Sequence, residues 1–419
     1  MDRIAVVDSG HYLDFAVLLA ERGHDVYYSV DWFRAFPRIE DYATGFGYDA
    51  KYPNFMKVID PGIAIARADY VVFTDVGLGG LASYLESVGK KVWGATIPAQ
   101  LLETDRYFMD RVTRERIGRQ KEVILARGFD ELRRAVKHII DKYGYAVVKM
   151  SVFRGNMETQ LVRSIDDLDV VLSQTNLEPI QDLLTFIVEQ PAEVIEWGVD
   201  LYFDGEGFVR PYAHSPEMKG EGACFVRMVE RSFLDDLFLD RLEEVLLQFR
   251  FRGFISLEFF LDGEKAVIID YTVRLPYPGA GLLARIYSNL DELLISSMDG
   301  HPVKPKVAWQ YGVEMRVYPE DNTRWHPWDI PRENWFYAGK RWSVYRGEDE
   351  KLAHFLFVPG GTDLGSAIGL SNSSIREAYE QAYRIAESYN APDRKFSGKA
   401  WDIFEEKRAK VEEWYGKIY

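Results

Sequence analysis

Three side chains that could do chemistry together stand at alternate positions of one apolar run: Asp270, Thr272 and Arg274 in AVIIDYTVR. A second apolar run, GFISLEFFL, precedes it and carries Glu258, and Asp262-Gly263 lies between the two. Asp-Gly between apolar runs is a hairpin signal. On a strand, alternate residues share a face, so Asp270, Thr272 and Arg274 point one way while Ile269, Tyr271 and Val273 point the other. The hairpin brings Glu258 close to Asp270. Two carboxylates and a hydroxyl are the oxygen ligands a hard cation such as Mg²⁺ takes, usually alongside nucleotide phosphates. A neighbouring guanidinium can fork onto a phosphate. An exposed sheet face bearing a salt bridge would show the same spacing, and the residues alone leave both readings open.

Other polar residues interrupt otherwise ordinary segments. Lys149 breaks the strand-like run YAVVKMSVF, and a lysine there must snorkel outwards or meet an anion. HSPEMKGEG reads as a polar loop that holds His214 and Lys219, and His11 lies in the loop DSGH after the first strand. Cys224 is followed by Phe225 and Val226, the setting of a packed thiol more than of a nucleophile. Gly279-x-Gly281-x-x-Ala284 has dinucleotide-fingerprint spacing but does not directly follow a strand, so it reads as a helix N-terminus whose amides favour an anion. No Walker A sequence occurs.

The elements that must position these groups follow from periodicity. Residues 1–98 alternate strand and helix signals: IAVVD, the amphipathic HYLDFAVLLAERG, HDVYYSV, DYVVFTDV, LASYLESVG and KVWGA. That is a doubly wound, mostly parallel α/β unit, which binds ligands at the carboxyl ends of its strands. Its first such end lacks the G-x-G-x-x-G of dinucleotide binders, which argues against a dehydrogenase. LLETDRYFMDRV predicts one helix, and FDELRRAVKHIIDKYG another, stopped by Gly144. TFIVEQPA predicts a strand and hinge, VDLYFDGEGFVRPYA a hairpin, and LDRLEEVLLQFRF a helix. Beyond Pro302 come short strands (GVEMRVYP, KRWSVYRG, AHFLFVPGG) and two long helices.

Composition sets bounds. The 419 residues suffice for two to four domains, and 47% hydrophobic with 28% charged residues is ordinary for a globular protein. A net charge of −15 argues against nucleic acid or an anionic membrane as partner. A single cysteine precludes an internal disulfide and fits a cytoplasmic location. MDRIAVVDSG reads as a strand, not a signal peptide, and no apolar run approaches the ~20 residues of a membrane span.

The acidic–x–Thr–x–Arg hairpin with a second acidic residue on the preceding strand resembles the metal hairpin of ATP-grasp ligases, and nearly the whole chain resembles the glycinamide ribonucleotide synthetase family of purine synthesis. The resemblance implies an α/β and α+β multidomain architecture. It comprises an N-terminal doubly wound domain at 1–98, an ATP-grasp core at 99–305 with a lid subdomain at about 115–192, and a C-terminal mixed α/β lobe at 306–419. It implies ATP with Mg²⁺ or Mn²⁺, and the joining of a small-molecule carboxylate to an amine through an acyl phosphate. Carried onto this chain, Glu258, Asp270 and Thr272 hold the metal, with Thr272 where the family prefers asparagine. Lys149 and Arg274 stabilise the transferring phosphoryl group. Lys149, Glu189, Glu196 and Arg111 bind the nucleotide. The family's earlier phosphate-binding lysine is matched only by Arg106, Asp110 and Arg111. His11, His214 and Lys219 are the candidate substrate contacts, and Arg154–Met157 the loop that covers the phosphates. The glycine-rich substrate loops of the family are replaced here, which implies an altered amino acid or amine. The same departures leave room for an ATP-binding module without catalysis.

Overall fold

The computed structural model describes residues 2–30, 38–39, 42–46, 52–118, 121–150, 159–174, 178–191, 195–263, 266–324, 326–339, 342–346, 351–357, 363–391 and 393–419. The loop Arg154–Met157 lies outside them.

The N-terminal unit is a five-stranded parallel sheet in the order Phe55–Lys57, Asp25–Val30, Arg3–Asp8, Tyr70–Phe73, Lys91–Trp93. Its central strand is apolar on both faces, and Ile4, Ala5 and Val6 are wholly buried, as a sheet covered on both sides requires. The predicted first helix forms as Leu13–Glu21, and the chain turns out of it at Gly23, whose φ of 94° suits glycine.

Residues 123–189 build a second, antiparallel sheet: Thr159–Val162, Ala146–Met150, Thr185–Glu189, Val123–Arg127. Helix Gly128–Tyr143 covers it and stops at Gly144 in the left-handed region. Leu132, Val136, Ile139, Val148 and Phe186 make this sheet's own apolar core.

The largest sheet starts at the hairpin, Ala266–Thr272 and Gly253–Leu261, and continues through Ile195–Phe203, Phe208–His214, Ala223–Val229, Tyr311–Pro319 and Gly365–Ser371 to Ala338–Gly339. It therefore crosses residue 306 without interruption. Helix Ile375–Glu387 lies so close to it that a Cβ on Gly369 would meet the Ala378 carbonyl oxygen at 1.8 Å. Helix Ala400–Tyr415 is fixed by Phe404 stacked on Phe225 and Tyr415 on Phe233, each pair 4.1 Å apart.

Two segments differ from their sequence reading. LLETDRYFMDRV is not one helix: Ile97–Thr104 ends and Arg106–Val112 begins at Asp105, whose carboxylate accepts from the Tyr107 and Phe108 amides, each at 3.0 Å. HSPEMKGEG is not all loop: His214 ends a central strand, and Glu217–Met218 pairs with Cys224 and Ala223.

Candidate active site

The hairpin forms as its alternation predicts. Tyr271 and Val273 are wholly buried on one face, while Asp270, Thr272 and Arg274 are half-buried on the other. Glu258 is the direct cross-strand partner of Asp270. The register then shifts, so that Phe259 faces Ile268 and Ile269 is the extra residue of a bulge. The bulge frees the Ile269 carbonyl, which accepts from Lys149 Nζ at 3.3 Å. That bond ties the middle sheet's lysine to the hairpin.

Each charged hairpin residue has a specific partner. Arg106 forks onto Asp270, with Nη1 at 2.5 Å from one oxygen and Nη2 at 3.3 Å from the other. The break at Asp105 sets the phase of the second helix and so buries Arg106 against the hairpin. Lys219 bridges two glutamates, 2.5 Å from Glu196 and 2.6 Å from Glu258. Arg274 lies between Glu103 at 2.9 Å and Asp75 at 3.1 Å, and donates to the Tyr12 hydroxyl at 2.7 Å.

A second cluster centres on Glu189, at the end of strand Thr185–Glu189 and almost wholly buried. Lys121 lies 2.5 Å from its carboxylate and Lys149 3.2 Å. Sequence reasoning missed Lys121, which follows a charged helix and looks like a solvated side chain. Pairing of Val123 with Glu189 in the sheet is what carries it inwards. Burial pushes Lys121 down to about 8, with Glu189 opposing that shift and Lys149 adding to it. Burial would raise Glu189, but its two ammonium neighbours outweigh it and hold the carboxyl below its ordinary value. Met109, Asp110, Thr113, Arg114, Gly118, Lys121, Glu189 and Ile268 line a narrow cleft here.

Among the described residues no three His, Cys, Asp or Glu side chains group tightly enough to cage a metal ion. Magnesium needs no such cage, because it keeps waters and takes one or two carboxylates plus phosphate oxygens. The donors fit that requirement. Glu258 is pushed up to about 7, first by burial and then by Glu196 and Asp270, with Lys219 acting in the opposite direction. With burial and two neighbouring carboxylates acting against its charge, Glu258 is a place where an added cation is stabilised once Lys219 gives way. Thr272 lines the adjoining cleft with Glu258, within reach of the same face.

The other residues singled out in the sequence divide. Glu196 belongs with Glu258 and Lys219, not with Glu189, so the two glutamates expected on one nucleoside fall in different clusters. Arg111 is exposed and lies over the Phe108 ring, and Arg106 faces the hairpin in its place. His214 is corrected: it is wholly buried, its Nδ1 accepts from Trp197 Nε1 at 3.0 Å, and burial with the nearby Arg227 lowers it to about 3. A neutral core histidine of this kind cannot reach a substrate. His11 lies at the sheet's carboxyl end, its ring 4.8 Å from that of Tyr277, which lines the Glu258 cleft. Cys224 is buried and its thiol pushed well up, as a packed thiol should be. The amide at Gly279, ahead of that short helix, is taken by the buried Glu314 at 3.0 Å.

No protein-family model and no curated protein sequence matches the chain. Solved structures do. Phosphoribosylamine–glycine ligase from Thermotoga maritima aligns with a TM-score of 0.68 at 14% identity, over 94% of this chain and 98% of its own. N5-carboxyaminoimidazole ribonucleotide synthetase from the same organism aligns at 0.61 and 12% identity, over 93% and 99%. The biotin carboxylase domain of Hydrogenobacter thermophilus 2-oxoglutarate carboxylase, solved with magnesium ADP and bicarbonate, aligns at 0.65 and 13% identity, over 97% and 98%. The fold is that of the ATP-grasp ligases. The α/β multidomain class implied by the sequence is thereby met over nearly the full length. Among the described residues no helix is long and apolar enough to cross a membrane.

Proposed function

We propose that the protein is an ATP- and Mg²⁺-dependent ligase that joins a small-molecule carboxylate to an amine. The observation that carries this reading is the bond from Lys149 to the Ile269 carbonyl. It ties the strand of Lys149, whose ammonium shares Glu189 with that of Lys121, to the hairpin that carries the cross-strand pair Glu258 and Asp270. On this reading the cations serve phosphate oxygens and the carboxylates a metal. The neighbours of this fold, a ligase, a synthetase and a carboxylase, support that reading.

On this reading residues 115–192 act as the lid over the nucleotide, residues 1–98 as the substrate-side domain and 306–419 as the closing lobe. Glu258 and Asp270, with Thr272, hold Mg²⁺, which supplies charge neutralisation on the phosphates when bound. Lys121 and Lys149 release Glu189 to bind phosphate oxygens. A carboxylate oxygen of the substrate attacks the γ-phosphorus and ADP leaves. The amine nitrogen then attacks the acyl carbon, loses a proton, and phosphate leaves. Arg274, fixed by Glu103, Asp75 and Tyr12, keeps its charge throughout and stabilises the phosphoryl group in flight. The protein's contribution is positioning and charge, not covalent chemistry of its own.

The test is release of ADP and phosphate from Mg-ATP across a panel of amino acids, each with and without an added amine, phosphoribosylamine included. Turnover dependent on one acid and one amine supports the ligase. One observation favours a second reading, ATP binding without catalysis: Asp270, Glu258 and Glu189 each already hold a protein cation. ATP binding without ADP release across the whole panel would select that reading.

A further inference from the structure

Beside Glu258 the same cleft runs on between Ile195–Phe203, Gly253–Leu261 and the Pro276–Pro278 turn, with a cavity volume of about 60 Å³. Its walls are unusually acidic. Asp200 is 5% exposed and is met only by hydroxyls, those of Ser256 and Ser215. No lysine or arginine approaches it among the described residues, and the charge it senses is a second carboxylate, Glu217. Glu217 lines the same cleft, half-buried, and among the described residues has neither a hydrogen bond nor an ion pair. The nearest cations act on it from beyond ion-pair distance. Lys219 is held by Glu196 and Glu258, Arg316 is held by Asp363, and Lys407 stands half-buried on the last helix. Buried carboxylates are ordinarily paired. Here one buried carboxylate, Asp200, and one half-buried, Glu217, face one cavity, and neither has an ion-pair partner among the described residues.

The backbone keeps that cavity acidic and narrow. Gly198 has no room for a side chain, since a Cβ would meet the Ser215 carbonyl oxygen at 2.7 Å. The close approach holds Ser215 against Asp200. A Cβ at Gly279 would lie 3.7 Å from Asp200 Oδ2.

We infer that Asp200 and Glu217 form a seat for a primary ammonium group of the substrate, and that the ligand end entering this cleft carries no phosphate. This deepens the ligase reading and rests on it: of the amines and amino acids open to such an enzyme, it selects cationic ones and disfavours phosphoribosyl amines. An ammonium group donates to both carboxylates and supplies the missing positive charge, whereas a phosphate would meet two unpaired negative groups.

The test is calorimetric titration of the full chain with 1,4-diaminobutane, glycinamide and ribose 5-phosphate at neutral pH, with Mg-ATP titrated separately. The Glu217→Gln variant removes a charge but no hydrogen bond, and Asp200→Asn keeps an acceptor for Ser256 and Ser215. Supporting the seat, the two amines bind the wild type at least tenfold more tightly than ribose 5-phosphate. Either variant then weakens them tenfold or more while Mg-ATP affinity moves less than twofold. Equal amine affinity in wild type and both variants, preference for ribose 5-phosphate, or no amine binding by a protein that still binds Mg-ATP overturns the seat and leaves the ligase reading standing. Absence of Mg-ATP binding would strike the ligase reading, and amine binding that then persists and depends on Glu217 would still support the seat.

Discussion

Raising the pH should weaken ATP binding through one residue, Lys121. Its ammonium is nearly buried, 2.5 Å from Glu189, and titrates at about 8 instead of 10.5 because burial disfavours the charge more than Glu189 restores it. At pH 9 about nine-tenths of these side chains are neutral in the nucleotide-free protein. Loss of that charge weakens Mg-ATP about tenfold per unit above 8, or about 1.4 kcal/mol per unit. Stability without nucleotide moves the other way. The folded pKa lies below the unfolded one, so between about 8 and 10.5 the unfolded chain binds the extra proton. Lys121 therefore contributes a penalty below 8 that is relieved as pH rises through this window. Affinity falls and stability rises over the same interval, a pairing that general alkaline denaturation does not produce. Calorimetric titration of Mg-ATP between pH 6.5 and 9.5 measures the first effect, and denaturant melts over the same range the second. Lys121→Arg carries a charge that does not titrate there, and should bind ATP with no alkaline limb. Wild-type affinity that stays flat to pH 9.5, or an identical limb in the arginine variant, would refute the assignment of Lys121 to the phosphates.

Three further outcomes follow from the same geometry. Glu189→Gln leaves two buried ammonium groups without their carboxylate and should cost about 3–5 kcal/mol in denaturant melts without nucleotide, a loss that Mg-ATP partly restores. Asp270→Asn should abolish the Mg²⁺ dependence of ATP binding, read by titration with and without chelator. Because Arg106 keeps an amide oxygen to bond, the melt should shift only modestly. Gly198→Ala forces a methyl to 2.7 Å from the Ser215 carbonyl and should destabilise by about 1–3 kcal/mol, visible as a lower melting temperature, with the cleft beside Asp200 widened.

The hairpin was legible because its information is local. Alternation over seven residues assigns faces, and Asp262-Gly263 assigns the turn, so Glu258, Asp270, Thr272 and Arg274 could be grouped from spacing. Lys149 was legible for a related reason, as a lone charge in an apolar strand. The helices ended by Gly23 and Gly144 were equally local. Lys121 carried no such mark. Its role depends on a sheet pairing with Glu189, 68 residues away. Arg111 and Arg106 could not be ranked either. One residue, Asp105, caps a new helix and resets the phase, which a periodicity summed over the whole segment averages out.

The amino-acid sequence by itself determined the element types, the hairpin's two faces and the oxygen-rich chemistry it offers, because strand and helix periods and turn residues act over a few positions. Only the tertiary structure decided which charges meet. Lys219 could bridge Glu196 and Glu258, and His214 could vanish into the core, only once strands far apart in sequence had been set side by side. Asp200 and Glu217 likewise became an unpaired couple only in three dimensions. The energy of a charge depends on its partners and its burial, and neither quantity exists until the chain has folded.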